Sequence, residues 1–417
     1  MPLDDWIEQA YAAGASDLHL EAGTPVVVRI RGELQTVGES VAGDTLAQVS
    51  RNLMGEEGWA QFAARGSADL SASIGGIRCR INFFQTIRGM AAAVRLLTPA
   101  IKDLRACNLH PEFRKLLDAS TGLIIVSGPT GSGKSTTLAA FIEEINATRA
   151  RHIVTLESPI EYLFANRHSF IRQREVPTHS PTFEQGITDA LRENPDVLVI
   201  SEMRTAEVMR LTLDAAETGH LVLATMHSST CAEALTRLCM SFPSDVQASV
   251  RAQLADALVA VSCQRLEYLA AQRLLVPRCE LLLPTSGAKG TIRAGNLSQI
   301  ANVLQSGGEE GMWTFERYQR WMDQVTEWVR PPPAAALRKA GEVPMTRPAS
   351  GVRAPKPPSA GSTPAGPQQA RTAASPSAAR ARTSTPGPAE EVIEVPAEEM
   401  DLAALAELAK KVVERKP

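Results

Sequence analysis

Several features that would classify a sequence at once are missing here. The six cysteines never form a C-x-x-C pair, which argues against a zinc ribbon and against a dithiol redox motif. We therefore expect reduced, mostly buried thiols at positions 79, 107, 231, 239, 263 and 279. The formal net charge of the 417 residues is only -3. No overall basic excess is present to neutralise phosphates, and no nucleic-acid partner is expected.

Long apolar runs and a secretory leader are also missing. No apolar run approaches the roughly 20 residues that a transmembrane helix requires. The start of the chain carries Asp4, Asp5 and Glu8 and contains no basic region followed by an apolar stretch. Hydrophobic residues make up 44% of the chain and charged residues 21%, a balance typical of soluble globular proteins. The sequence therefore predicts a cytoplasmic protein that is at most peripheral to a membrane.

Two folded domains are predicted from the pattern of apolar residues. At 26–32 (VVVRIRG) and 77–84 (IRCRINFF), apolar and polar residues alternate as in the strands of an antiparallel sheet. We assign residues 1–100 to an N-terminal α+β domain and residues 101–110 to a linker. Between 111 and 330, the short apolar runs LIIV, HIVTL, DVLVI and HLVLAT alternate with amphipathic stretches of helix length. That order predicts buried parallel strands joined by crossover helices.

The composition changes abruptly after residue 330. Residues 331–388 are rich in Pro and Ala and too poor in large apolar side chains to offset chain entropy, which predicts a disordered linker. Residues 389–417 begin with acidic residues, and Leu and Val follow at helical spacing. This pattern predicts an acidic segment and a short amphipathic helix, and both a helix that docks on a partner and a frayed, solvated helix fit it.

A phosphate-binding loop follows the apolar run LIIV and precedes a helix-like stretch, which is the context that this motif requires. Its glycines let backbone N–H groups turn towards phosphate oxygens at a helix N-terminus, Lys134 would reach the outer phosphates and Ser135 would bind magnesium. ATP and Mg²⁺ are the cofactors that this motif implies. The residues predicted to bind the nucleotide are Gly128, Thr130, Gly131, Ser132, Gly133, Lys134, Ser135 and Thr136.

A second acidic element follows a buried strand at 196–200, which ends in Ser201 and Glu202. A carboxylate at the carboxyl end of such a strand lies beside the phosphate loop, where it can hold magnesium or polarise the attacking water. Acidic residues often follow buried strands, so it is the phosphate loop that gives this one its meaning. The predicted metal ligands are Ser135 and Glu202.

Longer stretches around these elements resemble a known family. Residues 190–204 (ALRENPDVLVISEMR), 215–227 (AAETGHLVLATMH), 156–162 (LESPIEY) and 15–20 (ASDLHL) are similar to conserved boxes of the secretion ATPase superfamily of type II and type IV systems. Their combination is most similar to the PilT-type retraction ATPases of type IV pili. The resemblance covers roughly residues 1–325. It implies a RecA-like phosphate-loop core with a smaller, PAS-like N-terminal domain.

The resemblance also implies roles for four residues. Glu202 corresponds to the catalytic glutamate, and Glu157 corresponds to an acidic residue that helps to place water or magnesium. His227 corresponds to a histidine that senses the γ-phosphate. Arg237 occupies the position of an arginine that faces the ATP of a neighbouring subunit, although an exposed, solvated helix arginine fits it equally well.

The function implied by the resemblance is a homo-hexameric ATPase motor that retracts type IV pili by driving an inner-membrane platform protein. The missing four-cysteine zinc module argues against the secretion and pilus-extension branches. Ser158, Ser201 and Thr205 depart from the usual pattern, which leaves open an accessory, weakly hydrolysing paralogue that works with an active motor ATPase. A type IV secretion assembly ATPase is a further alternative. The localisation implied is cytoplasmic, at the inner membrane through partners.

Overall fold

The computed structural model describes residues 2–30, 32–97, 101 and 103–330. In these residues the chain forms a six-stranded sheet near the N-terminus and a seven-stranded sheet further along. The predicted linker at 331–388 and the predicted acidic segment and helix at 389–417 lie outside the described residues. Among the described helices, none combines the length and apolar character needed to cross a bilayer.

The N-terminal sheet is antiparallel throughout and has the strand order 3-2-1-6-5-4. Its elements are helix α1 (Pro2–Ala12), strands β1 (Ala15–Glu21), β2 (Pro25–Ile30) and β3 (Glu33–Ser40), helix α2 (Gly43–Arg65), and strands β4 (Ser67–Ile74), β5 (Ile77–Thr86) and β6 (Gly89–Leu96). Along β5 the side chains of Ile77, Cys79, Ile81 and Phe83 are buried, as the alternation in the sequence predicts. An α+β domain is confirmed here, and its likeness to a PAS domain stays a prediction.

The central sheet has the strand order 13-12-7-11-10-8-9 and is parallel except for its antiparallel edge strand β13. Its strands are β7 (Gly122–Ser127), β8 (His152–Glu157), β9 (Phe170–Glu175), β10 (Val197–Ile200), β11 (Leu221–Met226), β12 (Leu258–Leu269) and β13 (Leu274–Leu282). The four predicted apolar runs are the neighbouring strands β7, β11, β10 and β8. The prediction of buried parallel strands is therefore confirmed.

Helices cover both faces of the central sheet. They are α3 (Glu112–Leu116), α4 (Lys134–Thr148), α5 (Phe183–Ala190), α6 (Ala206–Glu217), α7 (Cys231–Met240), α8 (Gln247–Ala257), α9 (Ser286–Ala294), α10 (Ile300–Ser306) and α11 (Phe315–Met322). Successive β7 side chains enter opposite cores: Leu123 and Ile125 pack against α5 to α10, and Ile124 and Val126 pack against α3, α4 and α11. This two-sided burial explains why the strand reads as an unbroken apolar run.

The predicted linker at 101–110 contributes Leu104 and Leu109 to the core beneath α4. Its boundaries, and those of the two folded domains, stay predictions. All six cysteines lie within the described residues, where they are buried thiols outside any disulfide, as the sequence predicts. Burial raises the pKa of the Cys79 thiol to about 12 and that of the Cys239 thiol to about 11. Both thiols are therefore neutral near pH 7 and act as packing residues.

Candidate active site

The phosphate loop connects the carboxyl end of β7 to the first turn of α4. Gly133 precedes α4 with a φ of 86°, a left-handed conformation that costs glycine little. Gly128 has a φ of 153°, and a Cβ at this position would lie 2.3 Å from the backbone oxygen of Gln264. A side chain at Gly128 would therefore displace the loop from β12. These two glycines show why the loop needs residues without side chains.

One polar atom in the loop fits a phosphate ligand. Ser132 is 3% exposed, and its hydroxyl Oγ has no hydrogen-bond partner within the described residues. A buried hydroxyl without a partner is costly unless a ligand or water bonds to it. Its place in the loop, at the N-terminus of α4, is where the helix dipole favours an anion. The loop residues therefore fit the phosphates of a nucleotide.

The side chain of Lys134 is held in place by backbone oxygens of the phosphate loop. Its Nζ donates to the oxygen of Gly128 at 2.8 Å and to the oxygen of Pro129 at 3.0 Å. Burial lowers the pKa of Lys134, and the nearby carboxylates of Glu202 and Glu161 act in the opposite direction. The ammonium group is thus placed where it can meet phosphate oxygens.

The structure brings Glu202, His227 and Lys134 together. Glu202 Oε1 lies 3.1 Å from His227 Nε2, and the other ring nitrogen, Nδ1, lies 3.4 Å from Lys134 Nζ. These groups follow three neighbouring strands of the sheet, β10, β11 and β7, at the edge where parallel strands end. Three of the residues that the sequence predicts for the site therefore form one cluster.

The charges of this cluster follow from its surroundings. Burial raises the pKa of Glu202. The hydrogen bond and charge of Arg204, together with the charges of His227 and Lys134, lower it by more, so the net shift is downward. Burial and the charge of Lys134 lower the pKa of His227. At neutral pH we therefore expect an ionised Glu202 beside a neutral imidazole, whose Nε2–H tautomer satisfies both contacts.

Glu161 is a site residue that the sequence reasoning missed. Burial raises its pKa, against the effects of the nearby Ser135 hydroxyl and of the charges of Arg80, Arg95 and Lys134. The next residue, Tyr162, shares a 2.9 Å hydrogen bond with the hydroxyl of Thr136. Oxygen atoms of Ser135, Glu161 and Glu202 are the hard ligands that Mg²⁺ prefers. The sequence offered one signal for Glu161, which is an acidic residue four positions after Glu157.

Glu157 is not part of this cluster. It ends β8, and its Oε1 accepts from the hydroxyl of Thr155 at 2.6 Å and from Gln173 Nε2 at 3.0 Å. Burial raises the pKa of Glu157 to about 7, against the effect of both hydrogen bonds. The predicted placement of water or magnesium by this residue stays a prediction. What the structure adds is a carboxyl group that titrates near neutral pH.

The raised pKa of Glu157 makes stability depend on pH. Its pKa of about 7 lies above the ordinary value of 4.5, so folding favours the protonated form, and the stability loss grows as pH rises from 4.5 through 7. Glu157→Gln keeps the shape without the charge. The unfolding free energy of this variant should exceed that of the natural chain by an amount that increases by about 1–2 kcal/mol from about pH 5.5 to about pH 8. Urea unfolding at both pH values measures it, and a difference that does not change with pH would contradict the raised pKa.

Arg237 lies on the exposed side of α7 and bonds to the segment after β11 that carries His227. Its Nη1 donates to the backbone oxygen of His227 at 2.7 Å. This contact lies within the chain and orients the segment that carries the imidazole. The role across a subunit interface, which the sequence suggests, stays a prediction.

The three residues that depart from the family pattern have structural partners. The backbone N–H of Ser158 donates to the hydroxyl of Ser201 at 3.3 Å, so two of them join the ends of β8 and β10. Thr205 caps the N-terminus of α6 by accepting from Val208 N at 3.2 Å. A threonine serves as an N-cap nearly as well as an aspartate.

A second residue that the sequence reasoning missed is Gln264 in β12. Its Nε2 donates to the backbone oxygen of Ser132 at 2.7 Å, and its Oε1 accepts from the hydroxyl of Thr137 at 2.9 Å. Gln264 as a whole is 1% exposed. Gln264 thus joins the phosphate loop to the first turn of α4 through both ends of one amide.

The fold and this arrangement define an ATP hydrolase of the RecA-like phosphate-loop class, because the loop, an ammonium group, a carboxylate and an imidazole meet at one edge of a parallel sheet. A family model described as "Type II/IV secretion system protein" matches residues 2–307, and the chain belongs to this family.

Individual relatives agree with this assignment. The chain is 40% identical over 323 residues to the uncharacterized protein YggR of Escherichia coli, covering 76% of this chain and 97% of that protein. It is 34% identical over 306 residues to the type IV pilus retraction ATPase PilT of Pseudomonas aeruginosa, covering 73% and 88%. A crystal structure of the pilus retraction motor PilT with bound ADP matches with a TM-score of 0.69 at 35% identity, covering 78% and 97%. The predicted resemblance to PilT-type ATPases is confirmed.

Proposed function

We propose that the chain is a hexameric ATPase motor that powers type IV pilus retraction, and hence twitching motility, by driving an inner-membrane platform protein. The observation that supports this most is the contact of Glu202 with His227 and of His227 with Lys134 in a chain that spans nearly all of an ADP-bound retraction motor. The motor acts at the cytoplasmic face of the inner membrane and reaches the membrane through its partners.

In this proposal the loop N–H groups and Lys134 bind the phosphates of ATP. Ser135 and Glu202 hold Mg²⁺, with Glu161 as a further oxygen ligand, and the ion neutralises charge on the β- and γ-phosphates. Glu202 is the catalytic carboxylate, because its ionised oxygens can accept a proton from the attacking water.

His227 is proposed to sense the γ-phosphate. Its two ring nitrogens face Glu202 and Lys134. A change in the phosphate charge beside Lys134 therefore alters the hydrogen bonds on both sides of the imidazole. Arg237, which bonds to the backbone of His227, extends this change to α7. A chemical event at the phosphates thereby becomes a movement of loops and helices.

The proposal is tested by deleting the gene in its own bacterium and complementing it with the natural chain or the Glu202→Gln variant. We expect the deletion to abolish twitching while surface pili remain, and only the natural chain to restore movement. The oligomeric state of the purified protein with ADP is measured by mass photometry. Normal twitching in the deletion strain, or a protein that stays monomeric with ADP, would count against a hexameric retraction motor.

An accessory, weakly hydrolysing paralogue is the second candidate, and two contacts favour it. Ser201, which replaces the usual glycine, bonds to the Ser158 backbone, and Arg204 Nη2 lies 2.6 Å from Glu202 Oε2. A carboxylate engaged by a guanidinium is a weaker base, since its pKa is lowered. Turnover that becomes substantial only when an active motor ATPase of the same organism is added would support this candidate.

A further inference from the structure

One arginine of the N-terminal sheet bonds to the central sheet. Arg78 lies in β5 between two buried residues, so its side chain leaves the opposite face of the strand. Its Nε donates to the backbone oxygen of Ile160 at 2.9 Å, and its Nη2 donates to Glu175 Oε2 at 2.8 Å. Only 12% of the Arg78 side chain and 10% of the Glu175 side chain are exposed. The ion pair is therefore largely withdrawn from water where the two sheets meet.

Both backbone polar groups of Ile160 are held by this pair. Glu175 Oε2, which binds Arg78, also accepts from the N–H of Ile160 at 3.0 Å. Ile160 itself is 4% exposed. A charged pair with such supporting bonds is strong, and removing one partner leaves an uncompensated buried charge. The position of Ile160 therefore depends on Arg78 as well as on its own sheet.

The residues that follow Ile160 contact the phosphate loop. The hydroxyl of Tyr162 bonds to that of Thr136 at 2.9 Å, and Glu161 lies near the hydroxyl of Ser135. A short backbone segment thus carries Arg78 contacts at one residue and nucleotide-loop contacts at the next two. Each step from β5 to the phosphate loop is a direct contact.

We infer that Arg78 couples the phosphate loop to the N-terminal domain, so that a change of nucleotide at Ser135 and Thr136 alters how the N-terminal sheet is held. A ligand shifts a conformational equilibrium only through contacts that differ between the two states. A nucleotide that contacts Ser135 and Thr136 competes with the bond between Thr136 and Tyr162, and Ile160 passes the displacement to Arg78. Arg78 is a positioning residue in this scheme. The inference rests on nucleotide binding at the loop and goes beyond the proposed role at a pilus.

Hydrogen–deuterium exchange of the full chain with and without ADP tests the coupling. In the natural protein, ADP is expected to slow exchange at the phosphate loop and to change it in β5. In Arg78→Ala the change at the loop should persist while the change in β5 is lost. Arg51→Ala is the matched control, because it removes another N-terminal arginine, whose ion pair with Glu56 at 2.9 Å lies in the same exposed helix segment. An ADP-dependent change in β5 that is as large in Arg78→Ala as in the natural chain would overturn the inference.

Turnover kinetics separate coupling from simple loss of structure. In Arg78→Ala we expect kcat to fall about tenfold while KM stays within about threefold, since the nucleotide contacts themselves are intact. Arg78→Lys keeps the charge but only one of the two directed bonds, so it should restore part of kcat. If Arg78→Ala does not fold, Glu175→Gln removes the charge with the same side-chain shape and takes its place in both measurements.

The exchange experiment also distinguishes this inference from the proposed function. It depends on ADP binding but does not depend on ATP turnover. A natural chain that binds ADP without hydrolysing ATP would therefore count against the proposed motor, and the comparison of Arg78→Ala with the natural chain would still test the coupling. Where the natural chain hydrolyses ATP, an equal kcat in Arg78→Ala would likewise contradict the coupling.

Discussion

Replacing Glu202 by Gln is expected to lower ATP turnover by about 10²–10⁴-fold. The amide has the shape of the carboxylate but cannot take a proton from water. Near neutral pH we expect the carboxylate to be ionised, because Arg204, His227 and Lys134 lower its pKa against the effect of burial. Affinity for ADP without Mg²⁺ should stay within about threefold, because the loop and Lys134 are unchanged. Steady-state phosphate release and ADP titration measure the two quantities.

Glu207→Gln is the matched control for this prediction. Glu207 lies five residues further along, is 52% exposed and pairs with Arg210 at 2.7 Å on the surface of α6. Its replacement removes the same charge without touching the cluster and should leave turnover unchanged. If the Glu202 variant hydrolyses ATP as fast as the Glu207 variant does, another group must activate the water.

The parts of the site that the sequence predicted are those encoded in short, continuous stretches. The phosphate loop needs glycines at fixed positions between a strand and a helix, and its residues lie within one turn of each other. Glu202 and His227 each follow a buried apolar run, and parallel strands bring their carboxyl ends to one edge. Local pattern and strand direction together were enough to place these groups side by side.

The contacts that the sequence did not predict join distant parts of the chain. Gln264 bonds to a residue 132 positions away, and Arg78 bonds to one 97 positions away. The sequence around each of these residues is that of an ordinary strand. Gln264 follows a run of buried residues, and Arg78 alternates with buried residues. Only the order of strands, which puts β12 beside β7, shows that Gln264 faces the loop. Register and strand order are set by packing of the whole sheet, which no local window contains.

Gln264→Leu is expected to lower kcat/KM for ATP by about 30–100-fold. Leucine fills a similar volume but makes neither the bond to the Ser132 oxygen nor the bond from the Thr137 hydroxyl. Leaving these buried groups unpaired costs about 2–4 kcal/mol, which the loop can avoid only by moving. A displacement of about 1 Å in a group that positions a substrate is enough for losses of this size. Turnover across ATP concentrations and urea unfolding measure the two effects.

Gln253→Leu is the matched control. Gln253 is a partly exposed glutamine of α8 whose Nε2 bonds to Asp214 and Glu217, both at 2.9 Å, near the C-terminal end of α6. It should lose some stability and keep its kcat/KM. If both variants lose activity in proportion to stability, Gln264 contributes only to folding. A loss of kcat/KM specific to Gln264→Leu, at a temperature where both variants are folded, would show that β12 holds the phosphate loop in the position that catalysis requires.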